Sequence, residues 1–227
     1  MDHRLTALIE WIRQTALPAN GLLVPVSGGS DSALCFWLCC QAFPDKTMGI
    51  HVGDQLRCRQ WLESIGKVQH LPEANTTGDK EVVRWACFQS ICLKERRWLV
   101  GSRNRSEEVF GTFSLASRMA TYLPLSGVWK SEVMDVCKLI GVPEEIRASS
   151  RQADPDCGRP REMSEIPLEL IDQFLQVRAG ELPEQALSVL NEGQCRYLET
   201  VYQANRFKQN LPVRGPRLLQ GELSLKS

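Results

Sequence analysis

Apolar positions along the chain fall into two alternating periods. Leu5, Leu8, Ile9 and Ile12 share one face of a helical repeat and predict a helix over Leu5–Gln14. Short apolar runs at Leu22–Val26, Thr47–Val52, Lys67–Leu71 and Trp98–Gly101 predict strands. Between them, Ser32–Gln41, Gln55–Ile65 (ending at Gly66) and Lys80–Glu95 read as helices, with Pro72–Asp79 a loop. Ser32–Gln41 is apolar nearly all round, as expected of a helix packed on a sheet and covered by others. Pro25 is anomalous in a strand because it cannot donate to a ladder, but the loop after it demands a strand.

Further along, Glu107–Ser117 reads as helical and Tyr122–Leu125 as a short extended piece. Lys130–Ile140 reads as a helix closed by Gly141, with Pro143 beyond it. Ala148–Glu165 has no apolar periodicity and carries Pro155, Gly158 and Pro160; a loop of that length is usually functional or disordered. Ile166–Gln176 and Glu184–Phe207 read as closing helices. Strands alternating with helices imply an α/β fold: a Rossmann-like parallel sheet, helices on both faces, and a helical C-terminal extension. Ligands of such sheets sit at the carboxyl ends of the strands, although the pattern does not give the strand order. Residues 1–213 are expected to form one domain and 214–227 a flexible tail.

Composition narrows the function classes. The 227 residues suffice for one α/β domain with a full core. Lys plus Arg equals Asp plus Glu, 27 each, so the balance gives no reason to expect nucleic acid or an acidic surface as partner. The polar N-terminus lacks the apolar core of a signal peptide, and no stretch approaches the ~18 continuous apolar residues of a membrane span. Nine cysteines without Cys-x-x-Cys pairs argue against a zinc site or disulfide framework and for reduced thiols, hence a cytoplasmic location. Cys35, Cys39, Cys40, Cys87, Cys92 and Cys137 read as small apolar core residues.

The strongest chemical signal is Val26-Ser27-Gly28-Gly29-Ser30-Asp31-Ser32-Ala33, between a predicted strand and a predicted helix. Gly28 and Gly29 allow close approach to phosphate oxygens, and the amides of the opening helix point at an anion that its dipole also favours. Ser27 and Ser32 add hydroxyls, Asp31 offers a carboxylate to a phosphate-bound Mg²⁺, and Ser30 reads as the free position of this ATP-binding stretch. The Gly-Lys-Ser/Thr ending of the P-loop is absent, and the stretch resembles instead the loop of ATP pyrophosphatases, which split ATP between the α- and β-phosphates.

Three more stretches make the likeness specific: Gly101-Ser102-Arg103-Asn104-Arg105-Ser106-Glu107, Leu123–Val133 with Lys130, and Leu139-Ile140-Gly141-Val142-Pro143-Glu144-Glu145-Ile146. In this order they resemble the NAD synthetase family in its ammonia-dependent form. Arg84 and Asn205–Pro212 are weaker echoes. The resemblance implies an adenine nucleotide alpha-hydrolase-like fold and a homodimer. It also implies a two-step reaction in which a carboxylate of deamido-NAD attacks the α-phosphate of ATP, pyrophosphate leaves, and ammonia displaces AMP. By that resemblance Asp31, Lys130 and Glu107 are catalytic, Asp31 and Glu107 hold Mg²⁺, and Arg84, Ser102 and Lys130 join the Ser27–Ser32 stretch in binding ATP. Alone, Glu107 would read as a helix N-terminal acid and Lys130 as a solvated lysine.

The departures concentrate on the acceptor side. Arg103 stands where the family has a small or acidic residue, and Ser114–Ala120 replaces a Lys-Tyr-Gly-Asp-Gly type stretch without keeping an acid. In the long loop Asp154 survives, Arg159 and Arg161 are new, and these three are the expected substrate-loop residues. Exchange of acids for arginines there suggests a different, more anionic substrate. Two other functions compete: a sulfur transferase in which the loop cysteine Cys157 is the nucleophile, and a non-catalytic nucleotide-binding regulator. His51, at the end of the second predicted strand near where such a fold holds adenine, reads as a surface or loop residue.

Overall fold

A computed structural model of the chain describes residues 2–16, 20–151, 161–212, 218–219 and 222–223. The sheet contains β1 (Leu22–Pro25), β2 (Thr47–Val52), β3 (Val68–Leu71) and β4 (Trp98–Leu99), in the order β3-β2-β1-β4. All pairings are parallel, with Leu22 opposite both Thr47 and Trp98. Successive strands run outward from β1 to β3, and the chain then crosses to β4 on the other side of β1. That reversal opens a crevice at the carboxyl ends of β1 and β4.

Strand alternation distributes the core. Leu22, Val24 and Val26 pack with α1 (His3–Thr15) and α2 (Ser30–Ala42), while Leu23, Met48 and Ile50 face the opposite side with Phe88 and Cys92 of α4 (Lys80–Glu95). Helices therefore cover both faces. A third cluster, Phe110, Trp129, Ile171, Phe174, Leu175 and Leu198, joins the C-terminal helices α9 (Leu168–Arg178) and α10 (Glu192–Asn205) to the elements that frame the crevice. These elements are α5 (Arg105–Phe110) and α6 (Lys130–Leu139). The remaining helices are α3 (Arg59–Ile65), α7 (Glu144–Ser149) and α8 (Arg161–Ser164). In the segment expected to be a tail, β5 (Leu218–Leu219) pairs antiparallel with β6 (Glu222–Leu223).

Pro25 is accommodated by the ladder's length. The amides of Leu22 and Val26 point to β2, so the alternate position 25 points toward β4. There β1 pairs only through Leu22 and Leu23, and no donor is required of residue 25.

Several expectations need correction, among them the closing helix over Glu184–Phe207, which divides into a 3₁₀ turn at Glu184–Val189, α10 and a 3₁₀ turn at Arg206–Asn210. The helix foreseen from Gln55 begins only at Arg59, after Cys58 in a left-handed conformation (φ 50°). The helix foreseen over Glu107–Ser117 stops at Phe110, because Gly111 takes φ +72° and its α-carbon lies against Asn205; a 3₁₀ turn follows at Leu115–Met119. Tyr122–Leu125 contributes only the bridge of Tyr122 to Val100. Cys87 is exposed on α4 rather than buried, whereas Cys35, Cys39, Cys40, Cys92 and Cys137 are core residues. No helix among the described residues is long and apolar enough to cross a membrane.

Candidate active site

The crevice is lined on one side by the loop between β1 and α2. Gly28 takes φ +82°, where a Cβ would also approach that of Arg57 to 3.1 Å, so glycine is required. Gly29 is the N-cap in an extended conformation, and its glycine leaves open space rather than relieving strain. The loop is braced by its own hydroxyls: Ser27 Oγ lies 2.9 Å from Ser32 Oγ, and Ser32 Oγ accepts from the Ser27 amide and donates to the Gly29 carbonyl. Arg57 reaches across from the β2–α3 connection and donates to the Gly28 carbonyl at 3.0 Å. This bracing leaves a preformed cradle of amides at the start of α2.

Ser30, read as the free position, is instead buried and engaged. Its hydroxyl lies 2.6 Å from Ser150 Oγ and accepts from Lys130 Nζ at 2.8 Å. The position is constrained because α6 and the end of α7 pack over the first turn of α2, a tertiary arrangement no local pattern encodes.

Asp31 joins the two walls. Its carboxylate accepts from Asn104 Nδ2 at 2.8 Å and forms a short ion pair with Lys130 Nζ. Asn104 also caps α5: its side chain accepts from the Glu107 amide while the Glu107 carboxylate accepts from the Asn104 amide, closing a capping box. Glu107 is thus a helix N-terminal acid and a member of the site together. Burial, and next the charge of Asp31, push its pKa up to about 7. Lys130, opening α6, is set by Ser106, whose Oγ accepts from the Lys130 amide at 2.8 Å. Ser106 donates in turn to buried Asp172 of α9, which also accepts from the Ser131 amide at 2.7 Å. Asp172 was missed in the sequence because it lies in an otherwise ordinary amphipathic helix, 66 residues from Ser106.

Ser102 follows β4, half-buried, on the same wall. Gly101 before it leaves no room for a Cβ, which would fall 2.9 Å from Ala120 Cβ as well as 2.6 Å from Leu123 Cδ2. Arg84 is not joined to the Asp31 network; it lines a separate cleft at the carboxyl ends of β2 and β3, with Val52, Leu71 and Lys80, and its Nε is buried without a hydrogen-bond partner. Asp154, Cys157 and Arg159 lie outside the described residues, and of Arg161 only the backbone, at the start of α8, is described. His51 proves buried rather than a surface residue: Nδ1 lies 2.7 Å from the Val26 carbonyl, and Nε2 has no hydrogen-bond partner.

The Asp31–Glu107 pair suits a hard cation. Both carboxylates bear on the same desolvated crevice, where burial first and the charge of Asp31 second raise the Glu107 pKa. No group of three His, Cys, Asp or Glu able to hold a metal occurs among the described residues. Ligands from a bound polyphosphate would complete the set, as is usual for Mg²⁺.

Comparison with known proteins gives the chain's family and agrees with its fold. The family model described as NAD synthase matches residues 63–212. The NH(3)-dependent NAD(+) synthetase of Pyrococcus furiosus is 26% identical over 244 residues, 94% of either chain. Among solved structures, an NH3-dependent NAD synthetase from Campylobacter jejuni superposes with a TM-score of 0.73 at 16% identity, covering 94% of this chain and 99% of that one. The NMN synthetase of Francisella tularensis gives 0.74 at 17% identity, with 94% and 97% covered. At those identities the structures establish the fold.

Proposed function

The chain belongs to the NAD synthase family, and we propose that it is an ATP-dependent amide ligase converting deamido-NAD, ATP and ammonia to NAD, AMP and pyrophosphate. The observation that carries this reading is the Asp31–Asn104–Glu107–Lys130 network spanning the crevice.

The chemistry required is attack of a weakly nucleophilic carboxylate oxygen on the α-phosphorus. A P–O bond to the acceptor forms, the P–O bond to pyrophosphate breaks, and ammonia then displaces AMP at the acyl carbon, losing a proton. Both partners of the first step are anions, so alignment and charge neutralisation dominate. The amides of Gly28 and Gly29 with the Ser27 and Ser32 hydroxyls cradle the pyrophosphate. Lys130, held against Asp31 and Ser30 in the free protein, is placed to exchange those partners for phosphate oxygens. Asp31 and Glu107 would hold Mg²⁺, which when bound neutralises polyphosphate charge. Ser106 and Asp172 do not touch substrate; they fix the start of α6 and therefore where Lys130 points. Retention of this machinery favours an enzyme over a non-catalytic regulator, and family membership disfavours the sulfur-transferase reading.

A homodimer belongs to the same proposal. Val82 and Leu93, 48% and 72% exposed, lie nearly in line along α4, and Leu115, 50% exposed, sits on the 3₁₀ turn packed against it. This apolar face is the one offered to a second copy, and sedimentation of the V82E/L93E variant as a monomer would bear it out.

The activity is tested by incubating the protein with ATP, Mg²⁺, ammonium and deamido-NAD and following AMP and NAD by mass spectrometry. Stoichiometric AMP and NAD are expected. AMP without NAD would keep adenylation but remove deamido-NAD as acceptor, and no AMP with any pyridine carboxylate would overturn the reading.

A further inference from the structure

Arg103, in the loop after β4, is held unlike the other arginines of the site. Its side chain is only 8% exposed, its Nε lies 2.7 Å from Glu108 Oε1, and its Cζ sits 4.2 Å above the Phe113 ring. Nε is thus ion-paired with Glu108, while Nη1 is buried without a hydrogen-bond partner. Two further cations converge on the same place. Lys208 Nζ donates to the Phe113 carbonyl at 2.9 Å and lies 5.7 Å from that ring, and Arg118 Nη2 donates to the Leu211 carbonyl at 2.6 Å. Burial foremost, and Arg118 among the neighbouring charges, push the Arg103 pKa down; burial also lowers that of Lys208. The backbone carbonyls orient Lys208 and Arg118 without neutralising them. Glu108 faces the group directly, and the Glu107 carboxylate, which also acts on Arg103, accepts from the Asn104 amide.

We propose that Arg103, Arg118 and Lys208 form a subsite for a phosphate group of the acceptor nucleotide. The inference rests on the reading of the acceptor as a pyridine nucleotide. The Asn104 that follows Arg103 holds Asp31, so the subsite adjoins the reacting centre on the wall opposite the Ser27 loop. The phosphates of ATP belong to that loop, and the carboxylate under attack belongs beside Lys130. The anion met by Arg103 is therefore a different group of the acceptor, and in a pyridine nucleotide that group is a phosphate. A guanidinium with a buried, unpartnered Nη1, fixed on an aromatic face, suits phosphate oxygens in geometry as well as charge.

The test is calorimetric binding of three acceptors that share one carboxylate: nicotinate mononucleotide, deamido-NAD and the phosphate-free nicotinate riboside. It is made on the parent protein, R103M and R118M, with acceptor KM measured wherever AMP forms. We expect the parent to bind at least one phosphorylated acceptor about tenfold or more tighter than the riboside, and each variant to lose most of that preference. Folded variants that keep the preference, or that weaken the riboside equally, overturn the subsite. If R103M does not fold, R118M decides by the same criterion. Parent protein that prefers the phosphorylated acceptors through Arg103 or Arg118 but forms no AMP would sustain the subsite while overturning the ligase reading. The preferred phosphorylated acceptor distinguishes a mononucleotide from a dinucleotide substrate.

Discussion

Around the Ser27 loop the polar side chains are paired with one another, whereas Arg103 and Lys208 at Phe113, with the charge of Arg118 acting on Arg103, face one directly opposed carboxylate. The first wall is internally paired: hydroxyl meets hydroxyl, and Asp31 meets Asn104 and Lys130. Its bonds are exchangeable, since phosphate oxygens can take the place of Asp31 and Ser30 at Lys130. The second wall carries more cations than carboxylates, and Nη1 of its buried guanidinium has no acceptor. The contrast separates a general reaction from a particular substrate. Phosphoryl transfer asks the same thing of every member of such a family, while the wall proposed to receive the acceptor is where this chain departs from the residues expected by resemblance.

The comparison can be broken most severely at Asp31. Asp31→Ala strands Lys130 and Asn104 and removes one of the crevice's two carboxylates, so AMP formation should fall on the order of 10²–10³-fold or more, read by mass spectrometry. Next, Arg103→Met should act on the other wall alone, raising the KM of a phosphorylated acceptor about tenfold or more and that of ATP far less. Equal effects on both substrates would mean that the two walls are one unit.

Smaller changes sharpen the first wall. Asp172→Asn leaves either the Ser106 hydroxyl or the Ser131 amide facing an NH₂ group, and should cost about 2–3 kcal/mol in urea unfolding. Its kcat should drop with ATP KM less affected, because Lys130 is misdirected rather than lost. The smallest effect is a pH dependence of stability. Glu107 in the fold holds its proton up to about pH 7, while the unfolded chain releases it near 4.5. Native protein therefore binds more protons through that window, and stability is lost as pH rises from 4.5 through 7. Glu107→Gln keeps an acceptor for the Asn104 amide and removes this loss. In EDTA, its stability relative to the parent should improve between pH 5 and pH 8 by about 1–2 kcal/mol. A difference that does not change with pH would show that Glu107 is solvated in solution.

Much of the fold was legible because its signals are local. Thr47–Val52 and Lys80–Glu95 appear with the boundaries that apolar periodicity and the Asp79 cap predict. Asp31, Glu107 and Lys130 were legible as motif positions, and the structure brings them together. Gly111, by contrast, read as an ordinary position in a helix, yet its positive φ and the packing of Asn205 against it end α5 there. Ser30 read as free because its partners, Ser150 and Lys130, are 120 and 100 residues away.

The chain's own pattern determined an α/β sheet and a glycine turn that opens a helix after its first strand, because periodicity, glycine conformations and helix caps act over a few residues. The order β3-β2-β1-β4 belonged to the tertiary structure, as did the crevice that joins Asp31 to Asn104, the burial that lifts Glu107, and the gathering of Arg103 and Lys208 about Phe113. Desolvation and charge–charge coupling depend on distances through space, and only packing sets those distances.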